Sequence, residues 1–186
     1  MKIPRNKLVL IAFAVQIAML LSIIAVVYGV SRWGQSVSIQ MTGHDPYDAL
    51  RGRYLQLDIP DSGVGLEPGS LERYKTQYET MGNRDIPVYV ILDKDPDSGL
   101  SQFSFAALDR PGGSAPYIRC PSRYLWTSDG EWRVNIRPRI TQYYLNETQA
   151  QQLDASVRWD TEIRMRLKIW NGLYVADGIE IDNQDY

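Results

Sequence analysis

The chain has 186 residues, with 20 Lys and Arg against 22 Asp and Glu, one His and one Cys, for a formal charge of −2. That balance excludes binding driven by attraction to nucleic acid or to an anionic membrane surface. One cysteine excludes an intramolecular disulfide, and His44 with Cys120 cannot complete a tetrahedral zinc site unaided; no metal or other cofactor is expected.

Residues 1–7 carry Lys2, Arg5 and Lys7, and a run of apolar residues follows from Leu8 to Val30 with Gln16 and Ser22 as its clearly polar side chains. At about 1.5 Å per residue such a run spans the roughly 30 Å of a bilayer's hydrocarbon as a helix. A cleavable signal has a shorter core of about 7–15 residues, and Val27-Tyr28-Gly29 is a poor small-x-small cleavage site. The run is therefore read as an uncleaved anchor over 8–30 in contact with the lipid bilayer, ahead of a cleaved signal or a buried core helix. Three basic residues precede it and only Arg32 follows closely, so the amino terminus is expected in the cytoplasm and residues 36–186 outside. From Leu8 onward the chain holds 17 basic and all 22 acidic residues, and the part beyond the run suffices for one domain of ordinary size.

Beyond the anchor, apolar and polar residues mostly alternate, the mark of half-buried strands. Alternation covers 36–41, 53–59, 86–92, 102–108, 131–136, 162–170 and 173–181. The punctuation between these segments is of hairpin type, above all Asn171-Gly172, which suits a type I′ turn. The expected fold is mainly β with minor helix, seven to nine strands in an antiparallel sandwich or partly open barrel, preceded by one transmembrane helix.

Two stretches read as helices. "SLERYKTQYETMG" places Leu71, Tyr74, Tyr78 and Met81 on one side and offers Gly82 as a stop. "NETQAQQLDASVRW" offers Asn146 as a cap, Gln149 in the capping-box position and an apolar stripe of Ala150, Leu153 and Val157. A third segment, "DPYDALRGRYLQLDIP" from Asp45, reads as a short helical elbow that Pro46 opens and Gly52 closes. In the strand that follows, Arg53, Leu55, Leu57 and Ile59 share one face, and Tyr54, Gln56 and Asp58 the other.

This segment resembles the GDYXXLXY family of membrane-anchored bacterial proteins, whose motif sits in a frame like DPxxLxRGDYxxLxY shortly after an amino-terminal transmembrane helix. Asp45, Pro46, Arg51, Gly52, Tyr54 and Leu57 match that frame, and Leu50 stands one position after its leucine, where this chain has Ala49. The resemblance continues through "IPVYVIL", "ITQYYLNETQAQQLD" and "LYVADGIEID" to the end of the chain. It implies a bacterial inner-membrane protein with a periplasmic domain that accompanies another, multi-pass membrane protein. Arg53 stands where the family has aspartate, and Ile59 where it has its final tyrosine. The first change reverses a charge, which no catalytic or metal-binding carboxylate survives with its role intact. The motif is accordingly read as an architectural or docking element that includes Arg53.

Other chemistry is weaker. Cys120 shares a strand face with Ile118 and reads as a buried, inert thiol despite its neighbour Arg119. Glu147 and Asp154, with Asp45 and Asp48, are the carboxylates available to an envelope hydrolase. Arg133 and Arg137 with Asn135, and Arg164 and Arg166 with Lys168, lie on single strand faces. If those two strands pair, their arginines form a ridge suited to anionic glycans or lipid headgroups. The leading functional expectation is a binding or accessory module rather than an enzyme.

Restoring the family residue with Arg53→Asp is expected to leave the fold intact and to move stability by no more than about 1 kcal/mol in a thermal melt, the scale of a surface ion pair. A gain of turnover or of tight divalent-ion binding would mark the motif as an active site that this chain has lost.

Overall fold

The computed structural model describes residues 5–44, 47–48, 52–82, 84–140, 142–144, 161–181 and 184–185. A single helix, α1 (Arg5–Trp33), covers the whole apolar run. Its segment Lys7–Trp33 is long and apolar enough to cross a membrane. Only Gly34 separates α1 from the first strand, β1 (Gln35–His44).

Among the described residues eleven more strands follow: β2 (Tyr47–Asp48), β3 (Gly52–Asp58), β4 (Gly63–Leu66), β5 (Ile86–Lys94), β6 (Ser101–Ala107), β7 (Tyr117–Ser128), β8 (Glu131–Ile136), β9 (Gln142–Tyr144), β10 (Thr161–Trp170), β11 (Leu173–Ile181) and β12 (Gln184–Asp185). A helix, α2 (Leu71–Met81), lies between β4 and β5. All seven alternating segments of the sequence are strands, because a strand that buries one face must repeat every two residues.

Five strands close into a barrel in the order β6-β4-β8-β7-β5, with β5 pairing back onto β6. Beside it runs an open layer, β12-β11-β10-β1, joined to the barrel at the parallel bridge Ile39↔Ser101. The far end of β1 pairs with β3, and β3 with β9. The fold is thus the mainly β, partly open barrel expected, and most pairings are antiparallel. The β4–β6 pairing is parallel, because α2 and β5 carry the chain across the barrel between the two strands. Irregularities in β5 and β7 serve closure: the register shifts between Val90 and Leu92, and again between Arg123 and Leu125, where Tyr124 has φ 60°. Such bulges bend a strand and increase its twist.

One core cluster serves both layers, from Ile39 and Met41 on β1 and Met165 and Leu167 on β10 to Val88 on β5 and Val134 on β8. The Asn171-Gly172 turn joins β10 to β11 with φ 52° and 79°, as a type I′ turn requires.

Local reading failed at the elbow. Tyr47 and Asp48 are not helical but extended, pairing with Arg53 and Gly52. A single helical turn carries the full cost of nucleation, whereas an adjacent strand offers ladder hydrogen bonds at once. Asp45, Pro46, Leu50 and Arg51 lie outside the described residues, as does the helix expected from Asn146.

Helix α2 ends at Gly82, whose φ is 62° and whose N–H donates to Tyr78 O at 3.0 Å. Tyr74 is fully buried, Tyr78 packs half-buried against the core, and Met81, expected on the same side, is exposed. The helix thus leaves the barrel surface along its length. The Tyr74 hydroxyl lies 2.9 Å from Ser122 Oγ, which in turn donates to Ile86 O at 2.9 Å. Burial raises the Tyr74 pKa above its usual value near 10, against a smaller opposing effect of the Ser122 hydrogen bond. Below pH 10 both the folded and the unfolded chain keep this proton; above it the unfolded chain loses the proton first, so stability falls as pH rises. Tyr74→Phe is expected to cost about 0.5–1.5 kcal/mol at neutral pH and to flatten the alkaline loss in denaturant titrations. An unchanged alkaline limb would show that Tyr74 is not the group responsible.

Candidate functional site

Where β3 and β9 meet the barrel, the surface opens into a cleft of about 860 Å³. One wall comes from the segment after β8. Pro138 and Ile140 are buried while Arg137 and Arg139 are exposed, so the extended backbone sends both guanidinium groups to one side. Backbone bonds fix this segment: Arg137 N–H donates to Pro121 O at 2.8 Å, and Arg139 N–H to the Tyr174 hydroxyl at 2.8 Å. Burial pushes the Tyr174 hydroxyl pKa up, and the hydrogen bond from Arg139 opposes this.

Asp85, immediately before β5, lies on the same side. Its Oδ1 accepts from Arg123 Nε at 2.9 Å and stands 3.8 Å from Arg137 Nη1. Asp58, which ends the motif strand β3, also lines the cleft, as does Ser62, which accepts from Ile136 N–H through its carbonyl at 2.8 Å and from Asn135 Nδ2 through its hydroxyl at 2.7 Å. Tyr144 on β9 completes the rim with 62% of its surface exposed. Tyr54 of the motif is in register with Tyr144, so the motif strand supports this wall through β9. Leu57 is buried in the core and Asp58 exposed, as the alternation predicts. A smaller hollow lined by Arg119, Cys120 and Tyr174 adjoins the cleft at Asp85, Pro121 and Arg139.

The arginine ridge is not assembled. Strand β8 lies between β4 and β7, and β10 between β1 and β11, so the two never pair. Each arginine instead stands beside a carboxylate: Arg133 with Asp61 at 3.1 Å, Arg164 with Glu180 at 3.8 Å, Arg166 with Asp177 at 3.7 Å, and Arg137 with Asp85, which it shares with Arg123. Arg137 alone of the four reaches the cleft. Period-two spacing identifies residues on one strand face, but strand neighbours depend on long-range topology. The same limit hid Asp58, Asp85, Arg139 and Tyr144, which come from three separated parts of the chain; only the alternation in "RPRI" was a local signal for Arg139.

Cys120 is 2% exposed, and burial pushes its thiol up to about 12, so it is neither a nucleophile nor a ready metal ligand. Among the described residues no group of three or more His, Cys, Asp or Glu side chains is arranged to hold a metal. Glu147, Asp154 and Asp45 lie outside those residues.

The model of the GDYXXLXY protein family matches residues 16–179, from within α1 to near the end of β11. The chain belongs to the GDYXXLXY family. No curated protein and no solved structure matches it. In this GDYXXLXY member the motif strand β3 links β1 to β9 and ends at the cleft.

Proposed function

We propose that this GDYXXLXY protein is a single-pass accessory component of the bacterial cytoplasmic membrane, with its amino terminus inside and its β-domain in the periplasm. Its cleft binds a polar segment of another, multi-pass membrane protein. The carrying observation is the cleft itself, whose lining brings Arg137 and Arg139 together with Asp58, Asp85 and an exposed Tyr144. Guanidinium groups recognise carboxylates and backbone carbonyls, and tyrosine supplies rigid contact area at protein interfaces. A groove carrying both charge signs suits a polypeptide better than a simple anion. The anionic-glycan or lipid-headgroup reading loses the ridge on which it rested. Of the carboxylates offered for a hydrolase, Glu147, Asp154 and Asp45 lie outside the described residues, and in the cleft Asp85 already serves as the acceptor for Arg123. The orientation rests on Lys2, Arg5 and Lys7 ahead of α1.

A photo-crosslinking residue at Tyr144 of the full-length protein in its native membrane is expected to give a discrete adduct with a membrane protein. Arg137→Glu with Arg139→Glu should lower its yield about tenfold, equivalent to about 1.4 kcal/mol of binding. The same crosslinker at Glu131 should give none. An adduct indifferent to charge reversal, or no adduct, would contradict the cleft as the docking site.

A further inference from the structure

From Lys7 to Tyr28 every residue of α1 is exposed, whereas Gly29 and Val30 are buried. They are covered by the β10–β11 hairpin. A Cβ placed on Gly29 would lie 3.6 Å from Trp170 Cζ3, and the rings of Trp33 and Trp170 have centroids 6.2 Å apart. Trp170 therefore lies alongside the last turn of the helix rather than beyond its end.

The reason is the connection. Only Gly34 separates α1 from β1, and β1 pairs with β10 from its first residue, Gln35↔Ile169. Residues 170–173 continue past this pair and project back along the helix. The exposed stretch Lys7–Tyr28 measures about 32 Å at 1.5 Å per residue, enough for a hydrocarbon layer of about 30 Å. If α1 spans the bilayer, the hairpin tip reaches the boundary between acyl chains and headgroups.

Its composition fits that place. Trp33 is 66%, Trp170 40% and Leu173 48% exposed, and tryptophan is enriched at membrane interfaces because its ring is apolar and its N–H polar. A basic side chain reaches the tip, where Arg110 donates to Asn171 Oδ1 at 2.8 Å, and the backbone N–H of Arg119 donates to Gly172 O at 2.8 Å. These bonds also hold the tip against β7 and the segment before it. A Cβ on Gly172 would approach Tyr117 Cε2 to 3.1 Å.

We propose that the β10–β11 tip is a second membrane contact: Trp170 and Leu173, beside Trp33, sit in the headgroup–acyl boundary of the leaflet from which α1 emerges. Arg110 stands at the level of the lipid phosphates. The bilayer then holds the domain in one orientation. This rests on the reading of α1 as a membrane span.

The test uses the full chain in nanodiscs of mixed zwitterionic and anionic lipid, with single spin labels at Leu173→Cys, Leu20→Cys and Glu131→Cys; Cys120 is buried and stays unlabelled. At Leu173 the ratio of relaxation by oxygen to relaxation by a water-soluble nickel chelate should exceed that at Glu131 several-fold and approach that at Leu20. Protection at Leu20 with Leu173 matching Glu131 overturns the second contact and leaves the anchor standing, the result also expected if the tip serves a protein partner instead. Exposure at Leu20 overturns both. Without any label, lipids brominated near the carbonyl should quench less of the tryptophan emission in Trp170→Phe than in the native chain; equal quenching overturns the proposal.

Discussion

The structure depends on a single backbone constraint, the passage from helix to sheet at Gly34. Its N–H donates to Val30 O at 2.8 Å, continuing the hydrogen bonds of α1, and a Cβ at this position would come within 2.4 Å of Val30 O and 3.0 Å of Ile169 N. Only glycine fits between those two backbones. The helix therefore passes into β1 without a linker, and β1 at once finds its partner in β10. Burial of Gly29 and Val30 against the hairpin makes the last turn of α1 part of the domain's packing.

Strand β1 then distributes that constraint. Along one edge it pairs with β10; on the other it meets β6 of the barrel at Ile39 and β3 at its far end. The cleft forms where β3 ends, at Asp58 opposite Thr42 of β1, and beside β9. The family motif makes structural sense there. Its leucine, Leu57, is buried in the core, and its strand sets the register of β9 and so of Tyr144. The proposed membrane contact and the proposed docking cleft thus belong to one connected framework, attached at its base to α1.

Much of this was legible in the sequence because one-sided burial imposes a period of two. Strands β1, β3, β5, β6, β8, β10 and β11 were all visible in this way, as were the Asn171-Gly172 turn and the Gly82 stop. Strand β4, Gly63–Leu66, was not: two of its four residues are glycine, and it is extended because β6 and β8 flank it. Of the long β7 only the start around Ile118 and Cys120 was legible, because its bulge at Tyr124 breaks the alternation midway. The elbow at Tyr47 and Asp48 was misread because local capping signals lost to pairing with β3. The cleft was illegible for a different reason: Asp58, Asp85 and the segment from Arg137 to Tyr144 come from three separated parts of the chain, brought together by barrel closure and by the pairing of β9 with β3.

The central claim is that the anchor helix and the β-domain form one rigid unit, joined through Gly34 and the β10–β11 hairpin. Spin labels at Leu20→Cys and Glu131→Cys in the full chain in nanodiscs measure this directly by double electron–electron resonance. The account predicts a single narrow distance distribution that broadens when a flexible linker is inserted between Trp33 and Gly34. A broad distribution in the native chain would contradict it.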